Sequence, residues 1–133
     1  MSIRYLLDTD TSVGWLRGHT PVRRKITDVG ASTIGFSIIT LSELRYGASC
    51  SAQPASNHQS IDDFLIGITV VSLEIISARI FGDIKAFLRS QGQLLEDADL
   101  LIAATALTFN LTLVTNNVRH FSRIPHLVIE SWN

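Results

Sequence analysis

The 133-residue sequence predicts an α/β fold, a sandwich with helices on both faces of a central, mostly parallel sheet. Two observations lead there. Short apolar runs rich in β-branched residues alternate with longer segments of helical period, and alternating strands and helices build parallel sheets covered on both sides. One helical segment, Asp99 to Phe109, is apolar almost all the way round, which is the pattern of a helix buried in a core. Length and composition agree: residues 1–133 suffice for one domain with a real core but not for two, and a 46% hydrophobic content fits a compact chain.

The elements follow in order. Ile3 to Leu7 is an apolar run without helical period, ended by Asp8. It reads as a buried strand delivering an acid at its carboxyl end, where ligands bind in open α/β sheets. Thr11 to Arg17 and Pro21 to Val29 read as helices, the second capped by Thr20 with Pro21 at the first helical position. Ile34 to Ile39 is a second strand, and Thr40 to about Ser49 a helix carrying Glu43. The polar stretch from Ser49 to Ser60 reads as a loop within the domain, followed by a helix over Ile61 to Ile66 and a strand over Thr69 to Ser72. Leu73 to Ser90 sets Ile76, Ile80, Ile84, Phe87 and Leu88 near a period of 3.6, and Gly92 ends it. The buried helix leads into a strand from Leu111 to Thr115, whose end presents Asn116 and Asn117, and Leu127 to Ile129 is a last short strand. No internal repeat or low-complexity segment interrupts this pattern.

Composition sets several function classes aside. No apolar run reaches the length of a membrane span, and the first residues lack the layout of a signal peptide, so a cytoplasmic protein without a membrane partner is expected. The single cysteine, Cys50, can make neither an internal disulfide nor a thiolate zinc site. A net charge of −1 does not announce a nucleic-acid binder. Even so, Arg17, Arg23, Arg24 and Lys25 fall together near the start, and Arg119, His120, Arg123 and His126 near the end. These leave a local basic surface open beside the plainer reading of solvated faces. His58, His120 and His126 have no ligand-like spacing; His120 and Arg119 fit phosphate contacts and solvated side chains equally well. Trp15 and Trp132 read as packing residues.

The carboxyl ends of parallel strands share one rim. That rim collects Asp8, the region carrying Glu43, and Asn116 and Asn117; the buried helix need only aim its N-terminus there for Asp99 to join them. One acid in such a setting is ordinarily a cap or a partly exposed charge. Three converging acids repel one another and have their pKa values raised unless a cation compensates, and hard oxygen donors suit Mg²⁺ or Mn²⁺. A magnesium site with few protein ligands works through substrate phosphates, so the natural chemistry is phosphodiester hydrolysis by a metal-activated water. Gly47, four residues beyond Glu43 on the same helix face, leaves open space beside that carboxylate.

Four segments, Leu6-Leu7-Asp8-Thr9, Ser42-Glu43-Leu44-Arg45-Tyr46-Gly47, Asp99-Leu100-Leu101-Ile102-Ala103-Ala104 and Val114-Thr115-Asn116-Asn117-Val118-Arg119-His120-Phe121, together resemble the PIN-domain ribonucleases that serve as VapC-type toxins of bacterial toxin–antitoxin pairs. The resemblance spans essentially the whole chain and implies a PIN-like three-layer α/β/α sandwich. It implies that Asp8, Glu43 and Asp99 hold the divalent ion, Mg²⁺ or Mn²⁺. Asn117 stands where a fourth acid is often found; an amide oxygen binds a metal or its water but adds no charge, which weakens the case for a second, fully occupied metal site. The resemblance also implies an RNA substrate, a transfer RNA among the candidates, a homodimer and a small VapB-type antitoxin that blocks the site.

Two rivals compete with this reading. Leu6-Leu7-Asp8-Thr9-Asp10-Thr11 fits the D-x-D-x-T start of phosphatases with an aspartyl nucleophile, but Lys25 and Lys85 are the only lysines, and Gly82-Asp83 lacks the following acid that those enzymes need. Asp10 is then a helix-cap candidate. The other rival is a non-catalytic PIN-like module that binds RNA or protein, which would have no reason to keep three carboxylates. Within Glu96-Asp97-Ala98-Asp99, Asp97 and Asp99 lie about 200° apart on a helix, so both cannot face one site. The family register selects Asp99, leaving Asp97 as the N-terminal cap and Glu96 as a solvated acid.

Overall fold

The computed structural model describes residues 2–133. Its sheet holds β1 (Tyr5–Leu7), β2 (Ile34–Ser37), β3 (Thr69–Val71), β4 (Thr112–Val114) and β5 (Ile129–Glu130) in the order β3-β2-β1-β4-β5, with every pairing parallel. The helices are α1 (Thr9–Leu16), α2 (Thr20–Val29), α3 (Ile38–Ser49), α4 (Pro54–Leu65), α5 (Ile75–Ser90), α6 (Asp97–Phe109) and the single turn α7 (Val118–Phe121). The expected α/β/α sandwich is therefore present, and its sheet is wholly parallel.

Strand alternation divides the core between the two faces. Leu6 points into a cluster with Leu88, Leu100, Ile102 and Leu113 beneath α5 and α6, whereas Tyr5 and Leu7 point the other way, toward Val22, Ile26, Val114 and Trp132. Phe36 carries that second face on to Leu44, Ala48 and Ile61 under α3 and α4. Each fully buried Leu or Ile contributes about 1.5–3 kcal/mol by leaving water. Trp15 packs edge-on against Phe64 and Trp132 edge-on against Tyr5, so both act in packing as expected. Gly35 is there for a close approach: a Cβ on it would stand 2.8 Å from the Thr69 carbonyl oxygen of the neighbouring strand.

Several boundaries differ from expectation. The stretch from Ser49 to Ser60 is not all loop, because α4 begins at Pro54. Its first two turns are polar because they face solvent; Ile61 is buried and Phe64 and Leu65 are partly so, which means that only the second half showed a period. The second strand ends at Ser37, whose Oγ accepts from the Thr40 N–H at 3.1 Å and so starts α3 at Ile38 rather than Thr40. Thr20 is not a cap but the first residue of α2, which His19 precedes without a side-chain bond. Asp10 does not cap α1; Asp8 does, and α1 starts at Thr9. Asp97 does not cap α6 either. The cap position belongs to Glu96, without a side-chain bond, while the Asp97 carboxylate accepts from Lys85 Nζ at 2.8 Å. The last strand starts two residues later and ends one residue later than expected, and α7 was not foreseen. Gly92 does end α5: with φ at 65° it donates to Arg89 O at 3.0 Å, and Gln93 N–H donates to Leu88 O at 2.9 Å. Among the described residues no helix is long and apolar enough to cross a membrane.

Candidate functional site

At the carboxyl ends of β1 and β4 lies a cleft of about 410 Å³. Asp8, Glu43, Asp99 and Asn117, the four site residues expected from sequence, all line it, together with Asp10 and Glu96. Each arrives by a different local route. Asp8 is the residue at which β1 turns into α1: its N–H still donates to Val114 O at 3.0 Å, while one carboxylate oxygen accepts from the Thr11 N–H at 2.9 Å. Helix and strand together thus fix a carboxylate that is only 5% exposed. Glu43 projects from α3, and the Thr9 hydroxyl donates to its Oε1 at 2.5 Å. Thr9 Oγ1 also stands 3.3 Å from Thr40 Oγ1, tying α1 to α3 behind the carboxylate. Asp99 sits in the first turn of α6, held by a helix with six buried residues. Asn117 precedes α7; its N–H donates to the buried Thr115 Oγ1 at 2.9 Å, and its side chain does not cap the helix. Asn116 turns away and accepts from Ser131 Oγ at 3.5 Å.

The electrostatics follow from the crowding. Burial raises the Asp8 carboxyl above its ordinary range, and hydrogen bonds from Thr115 and Thr11 oppose that rise. Asp99 is pushed up to about 6, first by burial and then by the negative charges of Glu43, Glu96, Asp8 and Asp10. The ion pairs among the described residues are Arg45–Asp62, Arg79–Asp83 and Lys85–Asp97, and none engages a cleft acid. As the side chains stand, no three acidic, histidine or cysteine groups among the described residues surround one point closely enough to hold an ion. The donor chemistry nevertheless fits a hard divalent cation. The donors are carboxylate, hydroxyl and amide oxygens, and their mutual repulsion is relieved by no ion pair to a protein cation.

The sequence reading gave no role to three supporting residues, Thr9, Thr40 and Thr115. They carry no charge; Thr9 and Thr115 lie within the segments that carry the resemblance, and Thr40 has no signal beyond its place near a strand end. Of the basic residues singled out near the chain's end, His120 and Arg123 line the cleft. His58 is bound up elsewhere, between Arg45 and Ser49.

Comparison with known proteins gives this arrangement a family. The PIN domain model matches residues 5–127. The chain is 34% identical over 131 residues to Ribonuclease VapC2 of Rickettsia felis, covering 97% of this chain and 98% of that protein. It is 33% identical over 130 residues to the tRNA(fMet)-specific endonuclease VapC of Salmonella typhimurium, covering 98% of each. The fold superposes with a TM-score of 0.92 on a chain of the DNA-bound VapBC structure from Salmonella typhimurium, at 32% identity and over 98% of this chain and 99% of that one. The PIN match takes in the Asp8–Thr11 segment and sets the phosphatase reading aside. By both the domain match and the near full-length identity, the chain belongs to the PIN-domain family and, within it, to the VapC ribonucleases.

Proposed function

We propose that this chain is a Mg²⁺-dependent endoribonuclease, with Mn²⁺ as an alternative ion, that acts as the toxin of a type II toxin–antitoxin pair. The observation that carries the proposal is the meeting of Asp8, Glu43 and Asp99 in one cleft without an ion-pair partner among the described residues, where burial and then the neighbouring negative charges lift Asp99 to about 6. Asp8, Glu43 and Asp99 would hold the ion, with Asn117 as an auxiliary oxygen donor. The chemistry that a divalent ion supplies there is neutralisation of phosphate charge and acidification of a water, which makes hydrolysis of a P–O bond accessible at neutral pH.

The chain's own residues prepare the site. The Thr11 N–H and the Thr115 hydroxyl hold Asp8 in place, Thr9 aims Glu43, and the buried body of α6 fixes Asp99 in the cleft. Transfer RNA is the substrate class that a 33% identical relative's name supports, and solved relatives in VapBC assemblies support a small VapB-type antitoxin as partner. Membership of this family supports a homodimer and a cytoplasmic site of action. The test is to incubate the pure protein with total RNA, with and without Mg²⁺, and map the new ends. Mg²⁺-dependent ends within transfer RNA are expected. Intact RNA in every condition would reject the proposal in favour of a module that only binds.

A further inference from the structure

Acids are not the whole lining of the cleft: Arg123 just beyond α7, His120 within it and the half-exposed Leu94 of the α5–α6 connection line it as well. Among the described residues Arg123 is the one arginine or lysine lining the cleft, with five carboxylates: Asp8, Asp10, Glu43, Glu96 and Asp99. An arginine in such company would ordinarily be drawn into an ion pair, yet among the described residues Arg123 forms none. Its Nη1 donates instead to the Gln93 backbone carbonyl at a long 3.5 Å, while its own N–H follows the α7 turn to His120 O at 3.2 Å. The guanidinium thus lines the acidic cleft without pairing with its acids, and the bond to Gln93 O is the one side-chain hydrogen bond it makes among the described residues.

We propose that Arg123 is a substrate-binding residue: it grips an RNA phosphate adjoining the scissile one and so anchors the strand in the cleft that holds the acids. The reasoning rests on the ribonuclease reading above and on charge geometry. The acids that suit a divalent ion also repel every phosphate that the ion does not touch, so a polyanion needs a second anchor in the same cleft. A guanidinium supplies it, since its planar fork matches two phosphate oxygens. Leu94, which lines the same cleft and is 49% exposed, offers apolar surface against which a neighbouring base can rest.

The experiment reads RNA affinity against salt. Bulk bacterial transfer RNA, end-labelled, is titrated with the Asp99→Asn protein, so that no cleavage interferes, with and without Arg123→Gln; Arg79→Gln, which removes an arginine remote from the cleft, serves as control. Arg123→Gln should weaken binding about ten-fold or more, as loss of a charge-assisted bond does. It should also flatten the plot of log affinity against log salt by roughly 0.7 to 0.9, the slope of one phosphate contact. Arg123→Lys should keep the slope and lose part of the affinity. With Asp99 intact, Arg123→Gln should raise KM far more than it lowers kcat. If Arg123 is only a strut for the Gln93 loop, the glutamine variant will melt earlier and the salt slope will not change, which overturns the assignment. An affinity equal to that of the Arg79→Gln control overturns it too. Should Arg123→Gln not fold, full affinity in Arg123→Lys refutes the grip. RNA left uncut by the wild-type protein would defeat the ribonuclease reading instead, and cleavage with an unchanged slope defeats this inference alone.

Discussion

Asp99 shows how one residue can oppose stability and serve chemistry. Its carboxyl, pushed up to about 6 by burial and by neighbouring acids, binds a proton more tightly in the folded chain than in the unfolded one, where the value is near 3.8. The sign follows from linkage. A group whose pKa is raised on folding stabilises most when protonated, so its contribution is full below about 3.8 and is lost as pH rises through about 6. Asp99→Asn should therefore abolish RNA cleavage and yet raise the melting temperature of the metal-free protein at pH 7.5. That gain should shrink as pH falls from 6 toward 4, where the wild-type acid is itself neutral. Melting curves of both proteins in a chelator across this range check it; a variant less stable than wild type at pH 7.5 would contradict the electrostatic account. Thr115 works through Asp8: its buried hydroxyl receives the Asn117 N–H and helps to hold the Asp8 charge. Thr115→Val leaves that N–H without its acceptor. It should lower stability by about 1–3 kcal/mol and reduce cleavage, whereas Thr115→Ser should restore both, as read by denaturant melts and RNA cleavage side by side.

Single glycines separate the elements that are merely exposed from those that are crowded. Gly82 lies in the middle of α5, and a Cβ there would meet nothing within 4 Å. Gly82→Ala should raise stability by about 0.5–1 kcal/mol, the helix cost of glycine relative to alanine, without altering cleavage. Gly35 in β2 is the opposite case, because its Cβ would strike a backbone oxygen at 2.8 Å and the β2–β3 spacing would have to widen. Gly35→Ala should lose about 1–3 kcal/mol, the usual range for overpacking, and urea midpoints for the two variants should move in opposite directions. The elements near the site are specified by their ends. Ser37 and Asp8 each close a strand and cap the following helix, so the chain reverses tightly at the rim where the acids gather.

At the scale of the whole molecule, the parallel sheet carries one further expectation. Three acids from β1, α3 and α6 share a cleft only because those elements are locked by the core, so an ion bridging them should stabilise the entire fold by mass action. In the wild-type protein Mg²⁺ should raise the melting temperature in a concentration-dependent way and a chelator should reverse it. The effect should weaken from pH 7.5 to pH 5, because protons compete for Asp99 below about 6. A melting temperature indifferent to Mg²⁺, in protein that still cuts RNA, would place the ion on the substrate rather than on these acids.

The alternation of strands and helices, the burial of α6 and the apolar settings of Asp8, Glu43 and Asp99 were legible in the sequence, because periodicity and composition are local and each element carries its own. The sequence misplaced the start of α4, whose exposed polar turns looked like a loop, and the caps of α1, α2 and α6, because a cap is decided by which neighbour a side chain reaches and not by its type. It took the folded chain to show that Glu43 is aimed by Thr9, that Asp97 is spent on Lys85 while Asp99 lines the cleft, and that Arg123 shares that cleft with five acids and pairs with none of them among the described residues. Those are facts of distance between residues far apart in the chain, and the folded core is what sets such distances.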